Sequence, residues 1–247
     1  MPDRRTHRGP HPEDGRLFGV EALPVLRAAA ADFCWLLDRG YAHDSGLKLV
    51  GDRYSLVARQ RIAVSRCCCS HADVLRRSQH ETPVARLAGA TVFLDGYNVL
   101  TTVEAALAGG IILVGREGAW RDMASMHGSY RRVAETLPAL ELIGQTLAGA
   151  AVAQTRWLLD RPVSNSGRLK TIIERLAAAR GWPWQVELVA DPDRTLVAQS
   201  GVVVATADSA VLDRCEVWFN LAAETIRRGV SAANVVRLGR DGRISAG

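Results

Sequence analysis

The chain has 247 residues, 48% of them hydrophobic and 23% charged, the composition of an ordinary globular protein able to bury one large core or two small ones. Its formal net charge of +5 is uneven: residues 1–87 hold 14 basic and 10 acidic side chains, and residues 88–247 hold 17 and 16. Arg4, Arg5 and Arg8 are not followed by an apolar signal sequence, no run approaches a bilayer span, and five cysteines are an odd number, so a soluble cytoplasmic protein with reduced thiols and no membrane partner is expected.

Residues 1–16 are polar and rich in Pro and Gly, which predicts a disordered tail. Residues 17–86 read as a small all-helical domain. Leu23, Leu26, Phe33, Leu36 and Leu37 recur at helical spacing within 20–37, and Gly40 stands where a left-handed cap belongs. Ser45 can cap a short helix that stops at Gly51, and Ser55 a third through the 59–69 region. Seven arginines lie between Arg53 and Arg86 against only Asp73 and Glu81; they are either phosphate contacts for a nucleic acid or a solvated helix face. Cys67, Cys68, Cys69 and His71 resemble a metal cluster, but consecutive residues on a helix point about 100° apart and cannot close a tetrahedron. Free thiols are expected instead.

After Pro83 short apolar runs alternate with helical stretches. The runs are 90–94, 111–114, 156–159, 186–190, 202–206 and 216–221, with helices expected over 135–148, 167–180 and 209–214. Near-continuous apolar strands separated by helices predict an α/β domain over 88–228, with a mainly parallel, Rossmann-like sheet and flanking helices. A last strand, NVVRL, falls in a C-terminal extension over 229–247.

Three of the runs finish on an acid: Asp95, Asp160 and Asp208. Chemistry in an open parallel sheet collects beyond the carboxyl ends of its strands, and adjacent strands lie about 4.8 Å apart, so these acids are expected to converge at one level. Converged carboxylates repel unless a cation is present, and Mg²⁺ or Mn²⁺ suits carboxylate and water oxygens. The alternative is that each aspartate caps the helix that follows it. Asp213 is either a further ligand or a surface acid. Glu104 follows Thr101 in a capping-box pattern, which competes with a metal role.

The segments FLDGYNVL, LLDRPVSNSG and VATADSAVLDR resemble the PIN-like nuclease superfamily, especially its NYN-type branch whose first strand ends in Asp-Gly-Tyr-Asn. Asp95 and Asp208 match by motif and Asp160 by position, over about 140 residues. With the helical unit ahead of it, the chain also resembles an uncharacterised prokaryotic family. The PIN-like resemblance implies a divalent-metal nuclease acting on nucleic acid, on RNA in preference to DNA, although some members have lost activity. It also implies a further acid between the first and third, for which Glu104, Glu117 and Asp122 are available; Asp122 is favoured. In a two-metal mechanism Asp95 would bridge, with Asp160, Asp208 and Asp122 completing the shells. Asn98, His127, Ser129, Arg131 and Arg132 are candidates for substrate contact, and Ser164 and Ser166 can cap a helix whose amides suit a phosphate. Two alternatives stay open: a non-catalytic binding protein using residues 45–66 as a helix-turn-helix, and a small-molecule phosphohydrolase. A homodimer is also open.

Overall fold

The computed structural model describes residues 7–124 and 130–239. Its helices are α1 (Asp14–Leu17), α2 (Leu23–Leu37), α3 (His43–Arg53), α4 (Ala58–Cys67), α5 (His71–His80), α6 (Gly96–Leu107), α7 (Thr136–Gly149), α8 (Ser166–Arg180), α9 (Pro192–Val197), α10 (Ser209–Leu212) and α11 (Leu221–Gly229). The strands are β1 (Thr91–Asp95), β2 (Ile111–Val114), β3 (Trp120–Asp122), β4 (Gln154–Asp160), β5 (Trp184–Val189), β6 (Val203–Ala205), β7 (Trp218–Phe219) and β8 (Asn234–Arg237). Together they form an α/β fold with a helical N-terminal region, as expected.

The main sheet runs β5-β4-β1-β6-β7 and is parallel throughout. Its central strand β1 sends Val92 and Leu94 into a core with residues of α6, α7 and α11, and Phe93 into a second core with Val211, Leu212 and Trp218. Burial on both faces accounts for the unbroken apolar runs. The IILV run belongs elsewhere: β2 pairs antiparallel with β3 and parallel with β8 in a separate three-stranded sheet.

That second sheet joins the two expected domains. Leu26, Phe33 and Val64 of the helical region share one core with Ile111, Leu113 and Val236 of β2 and β8. The helical region therefore packs on the α/β body through a sheet whose last strand comes from the C-terminal extension. The tail assignment also needs correction over residues 7–16: Arg8 ion-pairs with the fully buried Glu104, and Asp14, only 4% exposed, accepts two hydrogen bonds from Arg59 at 2.6 and 2.8 Å. Charge pairing holds this polar segment where apolar burial could not.

In the helical region α2 buries Leu26, Ala29, Ala30, Phe33 and Leu36 on one stripe, and Gly40 has the expected positive φ. Helix α3 does not stop at Gly51; a Cβ there would meet the Arg61 guanidinium at 2.2 Å. That glycine makes room for a neighbouring helix and is not a breaker. Ser55 has a positive φ and Val57 is the N-cap of α4. Only Cys67 of the cysteine run is helical, with Cys68 extended. Helix α5 begins at a capping box in which the Ser70 side chain accepts from Asp73 N.

Candidate functional site

The chain leaves β1 toward β4 and β5 on one side, then returns to place β6 and β7 on the other. Strand order therefore reverses between β1 and β6, the position at which open parallel sheets form a crevice beyond their carboxyl ends. Asp95 closes β1 and Asp208 follows β6 at this switch point. Thr206 joins them, since its Oγ1 donates to Asp95 Oδ2 at 2.9 Å and accepts from Asp208 N at 3.0 Å.

The acids do not share one level. Asp95 is in register with Leu158, two residues short of Asp160, and lies one step beyond the Leu94–Ala205 pair, two short of Asp208. Two residues of strand are about 6.6 Å. Asp95 is thus recessed and only 8% exposed, with half-buried Asp160 and Asp208 further out on the flanking strands. The capping alternative also holds for two of the three: Asp95 accepts from Asn98 N at the start of α6, and Asp208 accepts from Ala210 N and Val211 N at the start of α10.

A fourth acid escaped the sequence reading. Asp193 sits on α9, which packs over β1 and β4 and against α10. Asp193 is accessible but crowded, and partial desolvation with Asp208, Asp191 and Asp160 raises its carboxyl above the ordinary range. Burial raises Asp95 to about 7, with Asp193 and Asp208 adding to the rise and Thr206 and Asn98 opposing it. Asp160 is raised by burial and by Asp191. The signal was available: VELVA is followed at once by Asp191-Pro192-Asp193, another strand ending in acids.

Asp122, the favoured fourth ligand, stands at the end of β3 in the second sheet with its carboxylate already engaged. Oδ2 accepts from Thr101 and Thr102 at 2.9 and 3.2 Å, and Oδ1 from Ala124 N at 2.6 Å. Asp122 lines the same cleft as Asp160, Asp193 and Asp208 but from the end of a strand in the second sheet. The other acids are occupied elsewhere. Glu104 is buried among Arg8, Tyr130 and Thr136, and Glu117 is buried against Arg121 and Arg77. Asp213 accepts from Arg76 and Arg77 at 2.7 Å each; burial would raise it, but the two guanidiniums hold it low.

The cleft has a volume of about 900 Å³ and two walls: Asp160, Asp193 and Asp208 at the sheet edge face His43, Ser65, Arg66 and Arg77 of the helical region. Asn98 lines it too, with Oδ1 accepting from Ala207 N at 2.9 Å. Ser166 is buried and bonds Tyr97 and the carbonyls of Asp160 and Val163, so it is structural and not a substrate contact. The N-cap of α8 is Asn165, without a side-chain cap bond, which corrects the capping role given to Ser164 and Ser166. Ser164, Arg131 and Arg132 are exposed and do not line the cleft; His127 and Ser129 lie outside the described residues.

The basic stretch is largely committed. Arg53 pairs with Asp32, Arg59 with Asp14, Arg61 with Asp52, Arg66 with Asp122, and Arg76 and Arg77 with Asp213. Six of its seven arginines thus hold internal partners, which weighs against the phosphate-contact alternative for this stretch. Among the described residues no helix is long and apolar enough to cross a membrane, and no three His, Cys, Asp or Glu side chains already surround a point that could hold a metal ion.

Residues 84–224 match the family described as Domain of unknown function (DUF5616). The chain belongs to the DUF5616 family. Residues 25–80 match a second description, Protein of unknown function (DUF434). The chain is also similar to an uncharacterized protein of Methanocaldococcus jannaschii, 28% identical over 203 residues that cover 81% of this chain and 96% of the relative. No solved structure matches. The DUF5616 segment contains all four clustered aspartates and Asp122, whereas His43, Ser65, Arg66 and Arg77 fall in the DUF434 segment. The cleft is therefore built where the two matched segments meet.

Proposed function

We propose that the chain is a divalent-metal-dependent phosphodiesterase with a PIN-like nuclease domain, acting in the cytoplasm on RNA in preference to DNA. The observation that carries this reading is the meeting of Asp160, Asp193 and Asp208 in one cleft at the switch point, with buried Asp95 joined to Asp208 through Thr206, where burial and nearby carboxylates raise Asp95, Asp160 and Asp193. Repelled carboxylates call for a cation, and an all-oxygen donor set fits Mg²⁺ or Mn²⁺. The stagger of the acids favours an ion that keeps several waters and uses one or two carboxylates, as Mg²⁺ does.

Asp95 and Asp208, linked through Thr206, are the expected principal ligands, with Asp160 and Asp193 binding through water or on arrival of substrate phosphate. A bound ion would activate water and neutralise charge on the leaving oxygen. Thr206 and Asn98 fix the rotamer of Asp95, and the helical wall limits solvent access. The two-walled cleft, near the upper end of volumes usual for small-ligand sites, also supports a small-molecule phosphate ester as substrate, whereas a helix-turn-helix module would need the arginines that internal pairs occupy.

Purified protein with Mn²⁺ should cleave single-stranded RNA, and Asp208→Asn should lower the rate by at least ~100-fold, equivalent to ~2.7 kcal/mol of barrier. Equal cleavage by both proteins would exclude this site as the source of activity. Hydrolysis of nucleotide-sized phosphate esters without RNA cleavage would select the second substrate class.

A further inference from the structure

The helical region carries a pair of thiols that the phosphodiesterase reading does not use. Cys34 lies on α2 and Cys68 in the extended segment that follows α4. The Cys68 Sγ rests 3.5 Å from the Ala30 carbonyl, the carbonyl that receives the Cys34 N–H in the i to i+4 pattern of α2. Helical side chains lean toward the N-terminus of their helix, which sets the Cys34 thiol toward that same carbonyl, beside Cys68, and both residues are partly accessible. We propose that Cys34 and Cys68 form a reactive dithiol that a hydroperoxide oxidises to a reversible disulfide.

The surroundings assign the roles. The neighbouring Cys68 thiol lowers Cys34, and Arg116 lowers it further against the opposing effects of burial and Asp38. Arg116 is held in place by Asp38 and by the Cys69 carbonyl, each at 2.8 Å. Cys68 is raised by its Cys34 neighbour and by burial. Burial pushes Cys67 up to about 12 and Cys215 up to about 11, and burial with Glu117 raises Cys69. Thiolate character and access select the reactive thiol, so Cys34 is the attacking sulfur and Cys68 the resolving one.

In the first step the Cys34 thiolate attacks one peroxide oxygen. The S–O bond forms as the O–O bond breaks, Cys34 becomes a sulfenic acid, and the other oxygen takes a proton and leaves as water or alcohol. Cys68 then loses its proton and attacks the Cys34 sulfur, so that the S–S bond forms and the S–O bond breaks with release of water. Two thiols lose two electrons in all, and a thiol reductant restores them. Cys68 lines the cleft, so the bond would tie that wall to α2. This inference does not depend on any activity of the cleft.

The full chain is treated with hydrogen peroxide, alkylated, and mapped without reduction. A cross-link between Cys34 and Cys68 is expected, lost in Cys68→Ser with a dimedone-reactive Cys34 left behind, and retained in Cys67→Ser. Absence of the cross-link in the wild type, or its persistence in Cys68→Ser through Cys67 or Cys69, would overturn the proposal. A second readout needs no variant: in the reduced wild type, iodoacetamide should modify Cys34 roughly tenfold faster than Cys67, Cys69 or Cys215. Equal rates would also overturn it.

Discussion

Asp95 combines three roles in one side chain: it closes β1, caps α6 and, through Thr206, ties β1 to the turn that carries Asp208. Its carboxyl is raised from 3.8 to about 7, chiefly by burial. Because the folded-state value lies above the unfolded one, the protonated form stabilises the fold; this contribution is complete below pH 3.8 and is lost as pH rises through about 7. Asp95→Asn removes the charge and keeps an acceptor for the Asn98 N–H cap, while its amide nitrogen would donate to the Thr206 hydroxyl that now donates to Oδ2. In metal-free buffer at pH 8 the variant is expected to melt at a higher temperature than wild type, and the difference should shrink toward pH 5. A variant that melts lower at pH 8 would show that the charged form is not penalised. At this scale the sequence was informative but incomplete. Asp95, Asp160 and Asp208 were visible as acids ending apolar runs, whereas Asp193 was overlooked in the Asp191-Pro192-Asp193 turn. The two-residue stagger depends on strand register, which apolar runs alone cannot specify.

Among the elements, the N-terminal segment departs most from expectation. Its sequence has little to bury, yet Arg8 reaches the fully buried Glu104 on α6, which also accepts from Tyr130 at 2.5 Å and Thr136 at 2.7 Å. Removing one partner of a buried pair leaves an uncompensated charge, a loss of about 3–5 kcal/mol. Arg8→Ala should lower unfolding free energy in urea by that amount, and adding Glu104→Gln should recover most of it; a cost below about 1 kcal/mol would place the pair in effect at the surface. Strands β1 and β4 and helices α7 and α8 were legible because their apolar pattern is long and regular. Helices α5, α9 and α11 were not assigned: α5 has a mostly polar sequence, α9 has only six residues, and α11 follows directly on a two-residue strand. The three-residue β3 owes its conformation to its pairing with β2.

Across the whole molecule, the helical region and the α/β body form one structure through the small sheet. Apolar periodicity could suggest two units, but not that Ile111, Leu113, Val236 and Leu238 would share a core with Leu26 and Phe33. Deleting residues 1–80 should therefore expose that core and give an aggregating product without a cooperative melt; a soluble fragment that melts cooperatively would show that the body folds alone. The same contact supplies the second wall of the cleft and draws Arg66, Arg76 and Arg77 into pairs with Asp122 and Asp213, leaving the aspartates as its dominant chemistry. The most direct test of that chemistry is titration of the protein with Mn²⁺, followed by electron paramagnetic resonance of the free ion. A saturable site that is lost in the Asp95→Asn, Asp208→Asn double variant and tightens as pH rises through about 7 is the expected result. Binding that is absent, or unchanged by the double substitution, would contradict a metal centre at the switch point.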